Sequence, residues 1–260
     1  MNALLQHIGE QHVIGFFLVL GRVSPLFAIA PLFSSKMFPL RVRGIAAVAL
    51  AVGLSPIALR HDKVPTDLLS VGGLMLKEIL IGLAFSFAIA VLFAAVSAAG
   101  SFLDTLIGFS FGSLIDPVTG NQGTIMSQLY GLLATAVFVA IGGDGWVIRG
   151  LAKTYDLVPL TKQPALGALV GGAQHTFSTI FVSAVAVAAP VLVALIITDV
   201  GFGVVSRVVP QLNVFAVGFP AKILVGFLII AASLPFVAGW IGDQLQQSVR
   251  SALESIHAVA

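Results

Sequence analysis

Long apolar runs, separated by short polar stretches, occupy most of the chain. Six of them approach the roughly 17–25 residues that an α-helix needs to cross the hydrocarbon core of a membrane. They cover residues 13–33, 44–59, 79–102, 125–141, 177–200 and 223–241. Backbone groups in lipid must be hydrogen-bonded internally, and helices achieve this within one segment. The pattern therefore predicts an all-α fold with about six membrane-spanning segments.

The composition supports this prediction. Hydrophobic residues make up 58% of the 260 residues, and the 27 glycines bring the apolar share to about 68%, against roughly 45–50% in globular domains. Charged residues are 9%, too few to cover the surface of a soluble protein of this size. An ordinary soluble enzyme and a disordered chain are thereby excluded. The net charge of +2, without a cluster of Lys or Arg, also excludes a nucleic-acid binder.

The cysteine and histidine content and the first ten residues narrow the possible chemistry further. The chain contains no cysteine, which excludes disulfides and thiolate catalysis. Its five histidines are scattered, so we predict no metal site and no cofactor. The first ten residues contain no Lys or Arg, so we expect the first apolar run to be retained rather than removed as a signal peptide.

Prolines interrupt several of the apolar runs. Pro25 and Pro31 lie in the first run, Pro190 in the fifth and Pro235 in the sixth. Each removes a helical hydrogen bond, so each predicts a kink or a break. The prolines fit either ordinary kinks of membrane helices or a bundle that is bent around a cavity or a partner.

A stripe of small residues follows one face of the third apolar run. It consists of Gly82, Ser86, Ala90, Ala94 and Ala98. Small side chains let another backbone approach closely, so the stripe predicts tight helix packing.

A polar stretch over residues 155–176 separates the first four runs from the last two. Beyond the sixth run, apolar residues recur at helical spacing. They are Ile241, Leu245, Val249, Ala252 and Ile256. This spacing predicts a C-terminal amphipathic helix that docks on a membrane surface or on a partner.

Charged residues inside apolar runs are costly and are therefore candidates for function. Arg22 is the deepest, whereas Lys77 and Glu78 open the third run, Asp199 closes the fifth and Lys222 opens the sixth. Snorkelling or pairing explains charges at the ends of runs. Asp199 and Arg207 flank a Gly-x-Gly sequence, where a break would let them pair. A secondary transporter would use Arg22, Asp199 and Lys222 to bind an ion or a small solute.

The sequence contains one catalytic motif, which is matched by residue identity alone. Residues 108–112 fit G-x-S-x-G around Ser110, and Asp156 and His175 follow in the order of an α/β-hydrolase. The motif requires a strand-to-helix turn in a parallel sheet, which this sequence does not predict. We therefore expect no enzyme activity.

Residues 100–123 form the most distinctive segment, GSFLDTLIGFSFGSLIDPVTGNQG. It combines five glycines and three phenylalanines with Asp104 and Asp116, and it lacks a basic residue. The glycines permit a compact, mobile backbone, and hydrophobic constrictions close pores by excluding water. A plug is one interpretation of this segment, and an ordinary connecting loop is the other.

Three blocks of the sequence resemble a known family. The first contains Arg22, Ser24, Pro25, Pro31, Pro39 and Arg41. The second spans residues 99–117 and includes Gly108, Phe109, Asp116 and Pro117. The third, which is the most specific, is RVVPQLNVFAVGFP at residues 207–220. On these blocks the chain resembles the FliR/YscT/SpaR family of type III secretion, and residues 217–220 are more similar to its flagellar branch.

The resemblance implies a non-enzymatic subunit of the flagellar protein export gate, in the bacterial inner membrane at the flagellar basal body. Family members assemble with FliP and FliQ around a pore that passes unfolded flagellar proteins, and FlhB and FlhA belong to the same apparatus. A virulence-type, injectisome subunit and the secondary transporter remain the alternatives.

The resemblance also implies roles for parts of this chain. Residues 1–160 correspond to a FliP-like portion and residues 161–260 to a FliQ-like hairpin with the amphipathic helix. The plug is implied at Gly108, Phe109, Ser110, Phe111, Gly112, Asp116 and Pro117. Positions implied in packing or assembly, besides the small-residue stripe, are Arg22, Pro210, Gln211, Asn213 and Pro220. Asp144 departs from the family pattern.

Overall fold

A computed structural model describes residues 2–35, 38–60, 64–109, 125–162, 166–211 and 213–257. Its helices are α1 (Asn2–Ile29), α2 (Leu40–Ala58), α3 (Leu68–Ile107), α4 (Ile125–Ala140), α5 (Gly143–Leu157), α6 (Leu166–Val208) and α7 (Val214–His257). All regular secondary structure in these described ranges is helical, which confirms the all-α fold class.

Among the described residues, five helical stretches are long and apolar enough to cross a membrane. They are Gln11–Ile29, Leu40–Ala58, Leu68–Ile107, Gly171–Val208 and Ala216–Glu254. The shorter helices α4 and α5 pass the same test together and count as a sixth candidate, interrupted at residues 141–142. The expectation of about six apolar segments is thus confirmed in the described residues, although α3 begins at Leu68 rather than near residue 79.

A glycine makes the interruption between α4 and α5. Gly142 has φ +67°, in the left-handed region that side chains with a Cβ rarely adopt. Its carbonyl accepts a hydrogen bond from the amide of Gly145 at 3.1 Å. Asp144 follows in the first turn of α5 and is exposed. A carboxylate there interacts favourably with the positive end of the helix dipole, which gives this unexpected residue a local role.

Three of the four prolines expected to interrupt apolar runs lie inside continuous helices. α1 contains Pro25, and α6 continues through Pro190. α7 continues through Pro220 and Pro235, so of the two predicted outcomes, a kink or a break, a break is excluded at Pro190 and Pro235. One lost hydrogen bond costs less than ending a helix where every backbone group needs a partner. α1, by contrast, ends at Ile29, before Pro31.

The chain divides into two compact units, and α3, α6 and α7 each contribute residues to both. The first unit comprises residues 1–92, 142–177 and 245–260. Its core includes the buried side chains of Leu18, Val23, Leu26, Ile81, Phe85 and Leu151. The second unit comprises residues 93–141 and 178–244. Its core includes Leu103, Met126, Phe138, Val191 and Leu195. The division of the sequence at residue 160 stays a prediction.

In the first unit, α1 packs against α2 and closely approaches α3 at a glycine. A Cβ placed on Gly82 would overlap the backbone carbonyl of Arg22. Further along the small-residue stripe Ser86 is buried, Ala90 and Ala98 are half-buried, and Ala94 is exposed. The close approach of backbones is therefore found at the start of the stripe.

The C-terminal part of α7 has one apolar side. Leu245, Val249 and Ala252 are buried in the first unit, whereas Gln246 and Arg250 are exposed. The buried side contacts α5, since a Cβ on Gly150 would lie 2.7 Å from Cγ1 of Val249. Much of the apolar side that we expected to dock on a membrane or partner is thus covered by the same chain.

Candidate functional site

Arg22, Lys77 and Glu78 form a buried charge cluster in the first unit. The Arg22 and Glu78 side chains are fully buried, and that of Lys77 is 7% exposed. The Arg22 Nε donates to Oε2 of Glu78 at 2.5 Å, and Nη2 donates to Oε1 at 3.0 Å. The Lys77 ammonium lies 2.9 Å from Oε1 of the same carboxylate. Two cations therefore share one carboxylate inside the protein.

The remaining donors of the buried charge cluster bind the end of α5 and the turn after it. Arg22 donates to the Thr154 hydroxyl at 3.1 Å and to the carbonyl of Val158 at 2.9 Å. Its guanidinium carbon lies 4.2 Å from the centre of the Tyr155 ring. Lys77 donates to the carbonyls of Pro159, Leu160 and Lys162 at 3.2, 2.5 and 3.1 Å. These carbonyls lie just beyond Leu157, the last residue of α5, and their oxygens together with the negative end of the helix dipole offset the excess positive charge.

Sequence reasoning singled out Arg22 but assigned Lys77 and Glu78 to the end of an apolar run. That assignment is wrong, because α3 begins at Leu68 and places both residues well inside the helix. The signal for the earlier start is Asp67, whose carboxylate accepts a hydrogen bond from the amide of Ser70 at 3.2 Å. An Asp directly before a run of helical residues is typical of a helix N-terminus.

The second unit contains the point where the predicted plug leaves α3. The helix ends at Ile107, and Gly108 follows with φ +100°, which favours glycine. The ring of Phe109 packs edge-on against that of Phe227 in α7, with a centroid distance of 6.4 Å. Of the predicted plug residues, these two are described. The others, Ser110, Phe111, Gly112, Asp116 and Pro117, lie outside the described residues.

The chain is described again from Ile125, and a buried carboxylate joins the start of α4 to α3. Both oxygens of Asp104 accept hydrogen bonds from the amide of Met126, at 3.1 and 3.0 Å, and Oδ2 accepts one from the amide of Ser127 at 3.1 Å. At Gly100 the two helices are in backbone contact, because a Cβ there would lie 2.5 Å from the Met126 carbonyl oxygen. We call Gly100, Asp104, Met126 and Ser127 the loop base.

A second ion pair joins α6 and α7 in the second unit. The exposed Asp199 pairs with the half-buried Lys222. The predicted pairing of Asp199 with Arg207 is wrong, since α6 continues through Gly201 and Gly203. At about 1.5 Å per residue, helical geometry places Arg207 roughly 12 Å along the axis from Asp199.

The turn between α6 and α7 carries several positions predicted to take part in assembly. Pro210 and Gln211 are exposed there, and Pro220 is exposed within α7. Asn213 caps α7, with its side-chain oxygen accepting a hydrogen bond from the amide of Ala216 at 3.1 Å. The cap accounts for Asn213 locally, while the assembly role of these residues stays a prediction.

The described residues also bear on catalysis and metal binding. Gly108, the first residue of the G-x-S-x-G motif, follows a helix rather than a strand, which differs from the context that the hydrolase motif requires. Ser110 lies outside the described residues. Within the ranges that the structure describes, we find no group of three acidic or imidazole side chains that could hold a metal ion.

Comparisons with known proteins identify relatives along nearly the whole chain. The sequence profile of "Bacterial export proteins, family 1" matches residues 13–248. The chain is 29% identical to flagellar biosynthetic protein FliR of Escherichia coli K12, over 86% of this chain and 85% of that protein. It is 33% identical to FliR of Bacillus subtilis, over 85% of this chain and 87% of that protein. It is also 30% identical to surface presentation of antigens protein SpaR of Shigella flexneri, over 80% of each.

Proposed function

The chain belongs to family 1 of the bacterial export proteins, and from this membership we propose that it is a subunit of the flagellar type III export gate. Two of its relatives are named as flagellar biosynthetic proteins, and the match covers 85% and 87% of their own length. The five or six helices of membrane-spanning length support a position in the bacterial inner membrane.

The proposed role within the gate is to help form the export pore with FliP and FliQ, next to FlhB and FlhA. The exposed apolar surface of this chain supports such an assembly. In the apolar windows of α2, α6 and α7, 17%, 28% and 22% of the residues are buried, against 61% in α3. Large unburied apolar faces fit contacts with other subunits as well as with lipid.

We propose that the loop that starts at Gly108 plugs the pore, and the observation that carries this proposal is the way the loop is anchored. On one side, Phe109 packs on Phe227 of α7. On the other, Asp104 of α3 holds the first turn of α4. A segment whose two ends are held at one place can block a narrow passage and return to it after each displacement. Its apolar residues would exclude water from the constriction.

The proposed mechanism involves no chemical step in this subunit. At rest the plug prevents ions from leaking through the pore. An unfolded flagellar protein that is pushed into the pore displaces the plug, which returns after passage. Other components of the export apparatus supply the energy.

The experiment that tests this function removes residues 108–112 in the complete export gate and measures ion leakage across the membrane. A second variant replaces the same five residues with glycine and serine, which keeps the length but removes both aromatic rings. We expect leakage to rise in both variants, because the second variant also loses the apolar contacts. Unchanged leakage through a correctly assembled, plug-deleted gate would overturn the plug.

A subunit of a virulence-type secretion system is the second candidate, favoured by the 30% identity to SpaR of Shigella flexneri. Deletion of the gene separates the two, since loss of flagella supports the flagellar gate and retained flagella with lost effector secretion supports the injectisome. The groups that a small-solute transporter would use have partners within the chain. Arg22 is paired with Glu78, and Lys222 with Asp199.

A further inference from the structure

Asp104 connects two helix ends that are far apart in the sequence. Its carboxylate is fully buried and accepts three hydrogen bonds from the amides of Met126 and Ser127. Asp104 and Met126, whose amide donates to its carboxylate, are 22 residues apart along the chain. Hydrogen bonds to an ionised acceptor are stronger than neutral ones, so this contact is strong as well as long in range.

The amides that Asp104 binds belong to the first turn of α4. The first four amides of any helix have no intrahelical partner, and a residue just before the helix normally caps them. In α4 an acceptor from another helix does so for Met126 and Ser127. The negative carboxylate also lies at the positive end of the α4 dipole. Loss of Asp104 would therefore loosen the first turn of α4 from α3, while the rest of both helices keeps its own hydrogen bonds.

A second contact holds the same two helix ends together. Gly100 lies one turn before Asp104 on the same face of α3, and a Cβ on it would lie 2.6 Å from the Cα of Ser127. The backbones of α3 and α4 therefore touch at the loop base. Steric contact at Gly100 sets how closely the helices approach, and the hydrogen bonds of Asp104 determine which residues of α4 lie there.

From this geometry we propose that Asp104 is a positioning residue, which fixes the start of α4 on α3 and thereby holds the C-terminal end of the plug in place. The proposal rests on the proposed function, because it assigns Asp104 a part in closing the pore. Asp104 itself touches neither the pore nor its substrate in this account. It acts through the first turn of α4, so its loss raises leakage without changing any residue of the plug.

The test compares ion leakage through complete gates that carry D104A or D104N with the wild type. Loss of a helix cap shifts the population of the loosened end by roughly 2- to 30-fold, and we expect leakage to rise in proportion for D104A. D104N keeps the size and one acceptor oxygen, so its leakage should lie between those of D104A and the wild type. The matched control is D156N, which neutralises an exposed aspartate of α5 and should leave leakage unchanged.

A distance measurement separates positioning from a general loss of stability. The chain has no cysteine, so pairs of spin labels can be attached to introduced cysteines without background from this subunit. One pair, at the exposed Thr105 and Leu129, reports on α3 and α4. The control pair, at Phe17 and Val52, reports on α1 and α2 in the first unit. In D104A the distance distribution of the first pair should broaden, whereas that of the control pair should not.

The outcomes distinguish this proposal from the proposed function. If the plug deletion leaks but both Asp104 variants stay closed with narrow distances, the positioning role is wrong and the plug stands. If the plug deletion does not leak, the plug is wrong, and the spin-label distances alone decide whether Asp104 fixes α4. Broadening of both label pairs would overturn the positioning role in favour of a general structural one. If D104A does not assemble, the milder D104N carries the same comparisons.

Discussion

Glu78 is the residue whose loss should destabilise the first unit most. It is the single carboxylate of the buried charge cluster, and it accepts hydrogen bonds from Arg22 at 2.5 and 3.0 Å and faces Lys77 at 2.9 Å. Glu78→Met introduces an apolar side chain of similar length and leaves two buried cations, Arg22 and Lys77, without their counter-ion. Arg22→Met is milder, because Glu78 keeps Lys77 as its partner.

Breaking a buried ion pair by removal of one partner costs about 3–5 kcal/mol. We place Glu78→Met at the upper end of this range and Arg22→Met at the lower end, because the first leaves two unpaired charges and the second leaves none. For a chain of this size, about 1 kcal/mol lowers the melting temperature by roughly 2–4 °C. The expected decrease is therefore roughly 6–20 °C, larger for Glu78→Met.

The double variant Arg22→Met/Glu78→Met should recover much of this loss. Replacing both partners of a buried pair by apolar side chains removes the desolvation penalty along with the attraction. Lys77 then keeps the carbonyls of Pro159, Leu160 and Lys162 as acceptors. The effects of the two substitutions are thus expected to be strongly non-additive, as for residues in direct contact.

The assay is thermal unfolding of the purified export gate in detergent, followed by the amount of intact complex after heating. Arg149→Met is the matched control, since Arg149 is exposed on α5 and its loss should change the stability by at most about 0.5 kcal/mol. The reasoning is refuted if Glu78→Met has the same melting temperature as the control. It is also refuted if the melting temperature of the double variant falls by the sum of the decreases of the two single variants.

Three further substitutions test local features by the same thermal assay. Gly82→Ala should destabilise the protein by about 1–3 kcal/mol, because its Cβ meets the backbone of Arg22. Its control, Gly72→Ala in open space, should be neutral or stabilising. Equal melting temperatures of the two variants would contradict the close approach. Gly142→Ala should cost about 1–2 kcal/mol because of its positive φ, and an unchanged melting temperature would show that the turn tolerates a Cβ. Asn213→Ala should cost about 0.5–2 kcal/mol, while Asn213→Ser, which keeps an N-cap acceptor, should cost less.

The six apolar segments of this protein were predictable from local patterns, because membrane-spanning length and apolar composition determine them. The helix α5 lies in none of the predicted runs, and α6 begins at Leu166, inside the stretch 155–176 that was expected to be a polar boundary. The start of α3 was missed, since the polar residues Lys77 and Glu78 looked like the end of an apolar run. Within the folded chain they lie against Arg22 and the end of α5, and these contacts make their burial favourable. A pattern of hydrophobicity cannot contain that information, because the partners are distant in sequence.

The loop base shows the same limit. Sequence reasoning identified residues 100–123 as unusual and included Asp104 among their features, but assigned the carboxylate no partner. The Asp104 carboxylate accepts hydrogen bonds from backbone amides, which every residue except proline carries. No side-chain pattern therefore marks Met126 or Ser127 as its partners. The Asp199–Lys222 pair was missed for a different reason, since two glycines suggested a break in a helix that is continuous.

The buried charge cluster also has a consequence for how the chain is made. The counter-ion of Arg22 follows it by 56 residues, and the carbonyl of Val158 follows it by 136 residues. At about 5–20 residues per second of synthesis, these partners emerge roughly 3–11 and 7–27 s after Arg22. An arginine at the centre of a membrane helix costs about 2.5–3.5 kcal/mol on its own. During this interval the unpaired Arg22 weakens the insertion of α1 in the membrane, and this cost is offset when α3 arrives with Glu78.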